Sequence, residues 1–363
     1  MPVIALSVMM ALSRYGGNRS THAIWRRTFV YTLSTTLLAV TLSAVLYAVI
    51  APQRIQVPHA VESAHAIASH GYWDYVLHII PDNILRAFLE NQVLAVLLLS
   101  LAIGTAVRRI PNEDIRKSVQ NLFEGLHHIL FTIVQWIVAA LPIGLFGFIG
   151  VGIREINAST SLQGMGAYFL VILLANVLQG TVVLPIFLLW KRQHPIKIFK
   201  HMLPALSVAF FTKSSVGTLP VTLNRVETKL GVDTQVSRFV LPLCTTINMN
   251  GCGAFIFTTV LYVMYNHGIA ITIGTMIPWI FIATLAAIGN AGVPMGCFFL
   301  SASLLSSMNI PLELMGLILP IYSLIDMLET ALNVWSDSCV AVAVNQDMRI
   351  QNAVPSVAPS SRN

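Results

Sequence analysis

The stretch CTTINMNGCG, Cys244 to Gly253, decides how the whole chain is to be read. Phe-Val-Leu-Pro-Leu precedes it and Ala-Phe-Ile-Phe-Thr-Thr-Val-Leu follows it. Two threonines, two asparagines and two glycines therefore stand where a hydrophobic segment should be driest. Gly and Asn tolerate an unwound turn, because Gly lacks a Cβ and Asn bonds its own backbone. Unwinding frees carbonyls that can coordinate a hard cation. In hydrocarbon such irregular backbone survives only if it is buried in protein or lines a wet cavity. The stretch thus predicts a helix broken at its centre, enclosed by others.

Composition points the same way. The 363 residues are 56% hydrophobic and only 10% charged, with a mean hydropathy of +0.75; a soluble domain carries about 25% charged residues. The net charge of +6 is then read as basic loops at one membrane face rather than as a nucleic-acid surface. Cys244, Cys252, Cys297 and Cys339 lie in apolar segments without metal or redox spacing, so neither a disulfide framework nor a zinc site is expected. Met1–Ser13 is apolar, but no basic region precedes it and Arg14 follows it, so a cleavable signal is not expected.

The apolar runs at 28–50, 84–107, 122–153, 165–190, 239–265 and 312–344 are predicted spans, each near or above the roughly 20 residues a crossing needs. Two further runs, 198–223 and 275–308, carry Gly, Pro and Ser at their centres. Charge parity decides what these do. Arg26 and Arg27, then Arg108 and Arg109, then Lys191 and Arg192 flank successive spans and belong inside. Arg225, Lys229 and Arg238 follow the first odd run. They stay inside only if that run enters the membrane and returns, and the same parity makes the second odd run dip in from outside. The fold class is therefore an all-α multi-pass membrane protein with two opposed re-entrant helical hairpins and discontinuous helices.

Polar residues converge on those elements. The first hairpin carries TKSSVGTLP at its tip (Thr212–Pro220) and the second GNAGVPMG (Gly289–Gly296). In the last span, Asp326, Thr330, Asn333 and Asp337 fall at i, i+4, i+7 and i+11, one helical face, with Glu329 beside it. A carboxylate in mid-bilayer costs about 2.5–3.5 kcal/mol or more. Three in one span are tolerable only if they face a cavity or bind cations. Hairpin tips direct helix N-termini inward, where their N–H groups suit a carboxylate.

With these motifs in hand, the chain resembles the dicarboxylate/amino acid:cation symporter family, the glutamate-transporter homologues. FFTKSSVGTLPVT, LPLCTTINMNG, IGNAGVP and DMLETALNVWSD resemble, in order, its serine-rich hairpin, its NMDGT helix break, its second hairpin tip and its last helix. IIPDNILRAFLENQVL and FVYTLSTTLLAV resemble two more of its segments, and the match covers about 1–347. The resemblance implies an N-terminally short member of that fold. Residues 1–27 would be a partial second helix and a cytoplasmic loop, 28–50 the third helix, part of the transport domain, and 51–153 scaffold and trimerisation helices. Residues 154–347 would form a transport domain, with hairpin 198–224, broken helix 239–265, hairpin 275–308 and last helix 312–344. Residues 348–363 would be a disordered cytoplasmic tail. A homotrimer in the cell (inner or plasma) membrane, working by an elevator motion, is implied, with no resident cofactor and no nucleic-acid partner.

The resemblance also implies site roles. Carbonyls near Cys244 and Asn248, with the side chains of Asn333 and Asp337, would hold one Na⁺. Thr246 and the carbonyls of Ala287, Ile288 and Asn290 would hold a second. Thr35, Thr36, Asn248 and Asn250 match a third. Asp326 would take a substrate ammonium, and Asn333 with the backbone around Ser214 and Ser215 its α-carboxylate. Cys252, Val293 and Thr330 would line the pocket. Tyr322 reads as packing, and Thr35 and Thr36 bonding back to their own helix is a competing reading.

Three departures shape the expectation. The chain starts inside what resembles the second helix, which implies either a misassigned start or a truncated relative. Asn250 stands where the family motif has aspartate, which predicts weakened or lost binding at the third ion site and leaves Na⁺ against H⁺ open. Glu329 stands where relatives that take acidic substrates carry arginine. Two like charges about 4 Å apart repel by roughly 4 kcal/mol at an effective dielectric near 20, a factor of several hundred in affinity. A small neutral amino acid such as serine, threonine or alanine is therefore favoured, unless Lys213 neutralises Glu329 or the carboxyl is protonated. A dicarboxylate or acidic amino acid symporter and a non-transporting relic are the alternatives. An intramembrane aspartyl protease is disfavoured, because Asp326 and Asp337 share one helix and no GxGD motif occurs.

Overall fold

The computed structural model describes residues 2–13, 19–54, 83–89, 93–130, 132–133, 136, 161–290 and 294–353. Its elements, in chain order, are α1 (Pro2–Ser13), α2 (Arg19–Ile50), α3 (Ile84–Leu89), α4 (Val93–Arg108), α5 (113–130), α6 (Ser161–Leu178), a π turn (Gln179–Val183), α7 (Leu184–Trp190), α8 (Pro195–Thr212) and α9 (Ser215–Thr228). α10 (Thr234–Ile247), α11 (Asn250–Asn266), α12 (Ile273–Ile288), α13 (Gly296–Ser307) and α14 (Glu313–Ala353) follow. No strand occurs among the described residues. The segment carrying His59, His65, His70 and His78 and the far half of the predicted third span lie outside the described residues.

Among the described residues, four stretches are long and apolar enough to cross a membrane: His22–Ile50, Met165–Trp190, Thr234–Asn266 and Glu313–Gln351. Their burial differs sharply. The most apolar window of Thr234–Asn266 is 100% buried, against 33% for Met165–Trp190. The broken helix is thus the axis of the molecule. α6 instead presents Leu170, Leu173 and Val177 outward, as a helix bordered by lipid or by another subunit does.

Local chemistry sets the short elements. Pro195 opens α8, at a position where its missing N–H costs nothing. Lys213 closes α8 in the left-handed region (φ 54°), and the side chain of Ser214 then caps α9 by accepting from the Gly217 N–H at 3.0 Å. Asp233 caps α10 through the Gln235 N–H at 2.7 Å, and Thr272 caps α12. α12 ends at Ile288, and Met295, also left-handed (φ 60°), leads into α13. α8/α9 and α12/α13 are therefore two helix pairs, each too short in either arm to match the four long stretches.

One end of the molecule gathers its charges. Lys191, just past α7, bonds Tyr31 and reaches both carboxylate oxygens of Asp347 at 3.1 and 3.0 Å. Burial pulls the Lys191 pKa down, but these hydrogen bonds outweigh it and leave it above the ordinary lysine value. Arg27 donates to Gln351 at 3.2 Å, Arg349 to the Gly231 carbonyl at 2.7 Å, and the Asp233 N–H to Asn345 at 3.1 Å. The start of α8 and the α9–α10 loop thus lie at the same end as the beginning of α2 and the close of α14. At the opposite end Arg54 stacks over Tyr265, and Ile50, Ile269, Ile271 and Met308 pack against a single core.

Two boundaries differ from the sequence expectation. The last helix runs to Ala353 rather than stopping at 344, so residues 348–353 are helix and not disordered tail. The bonds of Arg349 and Gln351 dock those final turns. The third helix begins at Arg19 rather than at 28, because Trp25 stacks on Phe29 (centroids 5.2 Å) and Ile24 is buried beneath.

Candidate functional site: two polar nodes on one helix

The break between α10 and α11 falls at Asn248 (φ −104°, ψ 70°) and Met249 (φ −109°, ψ 66°). Asn248 still donates its N–H to the Cys244 carbonyl at 2.8 Å. The Met249 carbonyl in turn accepts the Gly253 N–H at 2.9 Å, so the interruption is confined to these two residues. Close packing holds the break in place. A Cβ on Gly251 would lie 2.8 Å from Asn176 Oδ1 and 2.9 Å from the Glu329 Cα. One on Gly253 would lie 2.8 Å from Val40 Cγ2. Only hydrogen fits on these two opposite faces of α11, so α11 approaches α14 and α2 almost backbone to side-chain root.

The first node lies beside the break. The Asn248 side chain donates to Ser336 Oγ and to Asp337 Oδ1, both at 2.9 Å. Asn250 donates to the same Ser336 Oγ at 2.8 Å. From α2, Thr36 donates to Asn250 Oδ1 at 2.8 Å, and Thr35 reaches Asn248 Oδ1 (3.3 Å), Asn250 Oδ1 (3.4 Å) and its own Thr32 carbonyl (3.2 Å). Each of these side chains is buried, and Asp337 Oδ2 has no partner among the described residues. The asparagine oxygens face the threonines of α2 and their amide groups face α14, so the set ends in one uncompensated carboxylate oxygen, a ligand type that suits a small hard cation.

The second node lies on the same face of α14, nearer its start. Asp326 Oδ2 accepts the Met295 N–H at 3.1 Å, from the α12–α13 side. Tyr322 donates to Glu329 Oε2 at 3.3 Å and to Asp326 Oδ1 at 3.5 Å. Glu329 is fully buried and its Oε1 has no partner. Thr330 donates back to the Asp326 carbonyl at 2.7 Å, which leaves its oxygen free to accept. Asn333 accepts the Gly251 N–H at 2.9 Å and donates to Cys252 Sγ at 3.3 Å, so it joins the two nodes. One turn before Asp326, Lys213 donates to Ser323 Oγ at 3.1 Å. The turn between α8 and α9 and the residue leading into α13 therefore touch successive turns of α14.

Several sequence expectations meet in this geometry. Thr35, Thr36, Asn248, Asn250 and Asp337 come together, as do Asp326, Glu329, Thr330, Asn333 and Cys252. Cys244 is buried one turn above the break, with Thr32 Oγ1 at 3.9 Å from its sulfur. Others are not joined by any contact described. Thr246 donates to its own Leu243 carbonyl at 2.8 Å, the Ala287 carbonyl accepts the Asn290 N–H at 3.0 Å, and Ile288 is only half-buried. Ser214 serves as a helix cap, and Ser215 Oγ is buried without a partner. Val293 lies outside the described residues. Lys213 pairs with Ser323 and no bond to Glu329 is described, so the alternative in which Lys213 neutralises Glu329 finds no contact here.

Two expectations are corrected. Tyr322 is not mere packing: its hydroxyl links both carboxylates of the second node. The cysteines do form a pair. Cys252 and Cys297 are bonded as a disulfide with Cα atoms 5.5 Å apart. Their separation of 45 residues carries no motif, and only the return of α13 against the first turn of α11 brings them together. Sequence reasoning also missed Ser336 and Gln179. Ser336 sits one residue before Asp337 and could have been found from that. Gln179 opens the π turn and donates to the Thr35 carbonyl at 3.1 Å; nothing in its sequence neighbourhood marks it.

Over residues 1–347 the sequence matches the family model described as the Sodium:dicarboxylate symporter family. It is 29% identical over 249 residues to neutral amino acid transporter A of Homo sapiens, covering 68% of this chain and 46% of the relative. It is 29% identical over 252 residues to neutral amino acid transporter B(0) of Rattus norvegicus (69% and 45%). It is 30% identical over 269 residues to the Caenorhabditis elegans protein named "Putative sodium-dependent excitatory amino acid transporter glt-4" (73% and 52%). The chain spans about half the length of these curated relatives.

Proposed function

Because the chain belongs to the sodium:dicarboxylate symporter family, we propose that it couples uptake of a small neutral amino acid to the inflow of Na⁺ down its gradient. The observation that carries the reading is the unpaired second oxygen of Asp337, buried at the end of the hydrogen-bonded set of Thr35, Thr36, Asn248, Asn250 and Ser336. An uncompensated carboxylate in a membrane interior costs several kcal/mol, and a bound cation offsets that cost. In this reading Asp337, Asn248 and Asn333, with the carbonyls near Cys244, hold one Na⁺, and Thr35, Thr36 and Asn250 form a weakened neighbour. Thr246 with the end of α12 is the least supported ion position, because the structure describes no contact between them.

The substrate occupies the second node. Asp326 holds its ammonium, Asn333 and the Ser214–Ser215 end of α9 its α-carboxylate, and Cys252, Val293 and Thr330 line the remainder. Glu329 disfavours an anionic side chain, in keeping with the neutral amino acid transporters among the relatives. The two helix pairs act as re-entrant hairpins. Support comes from the charged end: α8 starts and α9 finishes beside Lys191, Asp347 and Arg349, while α12 and α13 are anchored near Ile50 and Arg54. Transport then proceeds by an elevator motion of α2 with residues 161–353 against α1 and α3–α5, in a homotrimer in the cell membrane. The family and the relatives are transporters, so an intramembrane protease has no further ground.

An acidic substrate or dicarboxylate is the second reading, favoured by Lys213, whose ammonium stands one turn from Asp326. Uptake into proteoliposomes under imposed Na⁺ or proton gradients separates the two. Na⁺-driven serine uptake that exceeds aspartate uptake supports the main reading. Strong aspartate uptake without serine uptake refutes it, and proton-driven uptake indifferent to Na⁺ refutes the ion assignment.

A further inference from the structure

Cys252 and Cys297 meet a third donor that neither the Na⁺ node nor the amino acid requires in this role. The two sulfurs and a carboxylate oxygen of Glu329 all lie within 4.8 Å of one another, and all three residues are buried. Glu329 Oε1 is without a partner. The Asn290 amide donates to Cys252 Sγ at 3.0 Å and to Cys297 Sγ at 3.1 Å, and Asn333 adds a third amide donor to Cys252 at 3.3 Å. Three N–H groups thus point at the two sulfurs. They make the kind of surrounding hydrogen bonds that fix metal ligands in place.

We infer that, when the Cys252–Cys297 bond is reduced, these two thiolates and Glu329 form a site for a thiophilic divalent cation such as Zn²⁺ or Cd²⁺, and that its occupancy blocks the substrate node. Two sulfurs and one carboxylate suit a borderline-soft cation, whereas Na⁺ takes oxygen donors alone. Three protein ligands leave a fourth position open. Reduction by a phosphine gives the disulfide two electrons; water supplies the two protons that complete the thiols and the oxygen that converts the phosphine to its oxide. Each thiol then releases its proton to solvent as the metal binds. Oxidation to the disulfide and metal binding exclude each other, because the same sulfur electron pairs are used. The block follows from position: Glu329 shares the Tyr322 hydroxyl with Asp326, and Asn333 is common to both sites. Metal bound there also ties α13 to α11.

The test uses the full chain, purified in detergent, reduced with a phosphine and freed of it, then titrated with Cd²⁺ alone. The readout is the ultraviolet thiolate-to-cadmium absorption band, which needs no transport. We expect one Cd²⁺ per chain. Cys252→Ser and Cys297→Ser each weaken binding at least 100-fold, Glu329→Gln weakens it about 10-fold, and Cys339→Ser leaves the band unchanged. Oxidising the wild type with diamide abolishes the band and re-reduction restores it, a control that requires no variant to fold. A band that persists in the Cys252→Ser/Cys297→Ser double variant overturns the inference, as does its absence from the fully reduced wild type. Inhibition of uptake by Cd²⁺, relieved by excess serine, tests the blocking step. A band without inhibition refutes that step and leaves the site standing, while failure of all uptake bears on the transport reading alone.

Discussion

The two polar nodes share one face of α14 yet are built differently. Around Asp337 the side chains bond one another directly: Asn248 and Asn250 both hold Ser336, Thr36 holds Asn250, and the distances cluster near 2.8–2.9 Å, with Thr35 somewhat longer. Around Asp326 the bonds run from 3.1 to 3.5 Å and come from one backbone N–H and one shared hydroxyl, with Glu329 Oε1 left over. The first node is a rigid cage short of one positive charge. The second is a loosely satisfied set of acceptors short of donors. The contrast matches an inorganic ion, which needs fixed oxygens, and an organic guest, which brings its own N–H groups.

The contrast can be broken most severely at Asp337. Asp337→Asn removes the charge and keeps the shape. Na⁺-driven uptake is expected to fall at least 100-fold, and Na⁺ is expected to lose its protective effect against thermal unfolding. Retained Na⁺ protection would remove the cage from the ion path. Glu329→Gln tests the other node. The aspartate-to-serine uptake ratio should rise by up to several hundred, from the roughly 4 kcal/mol of like-charge repulsion; an unchanged ratio would mean Glu329 is not the filter. Ser336→Ala removes the hydroxyl that both asparagines hold. A loss of about 1–2 kcal/mol of ion affinity is expected, near 10-fold, read as a rise in the half-saturating Na⁺ concentration. A change in the serine KM with no change in that Na⁺ dependence would show that the nodes had been wrongly divided. Tyr322→Phe should have the smallest effect, two- to fivefold on the serine KM, because its bonds are long. An effect as large as that of Glu329→Gln would mean that the hydroxyl contacts the guest.

The centre of the fold was legible because its chemistry is local. Asn and Gly inside an apolar run announced the break, and the observed interruption at Asn248–Met249 lies inside INMNG. The i, i+4, i+7, i+11 spacing placed Asp326 to Asp337 on one face, which holds in α14. What escaped depends on partners distant in sequence. Ser336 counts because two asparagines from another helix reach it, and Gln179 because a π turn rotates it toward α2. Cys252 and Cys297 pair only after α13 has folded back. The docked end of α14 escaped for the same reason, since Gly231 and Arg27 hold it from remote parts of the chain.

Gly251 and Gly253 carry a mechanical consequence. Hydrogen in place of a methyl on two opposite sides of one rod leaves no compliant layer between α11 and its neighbours. A push on α2 or on α14 is handed straight across, as between meshed gears, instead of being absorbed by rotamer changes. Whatever shifts this part of the molecule must shift the three rods as a single block, so the two polar nodes keep their spacing under any such displacement.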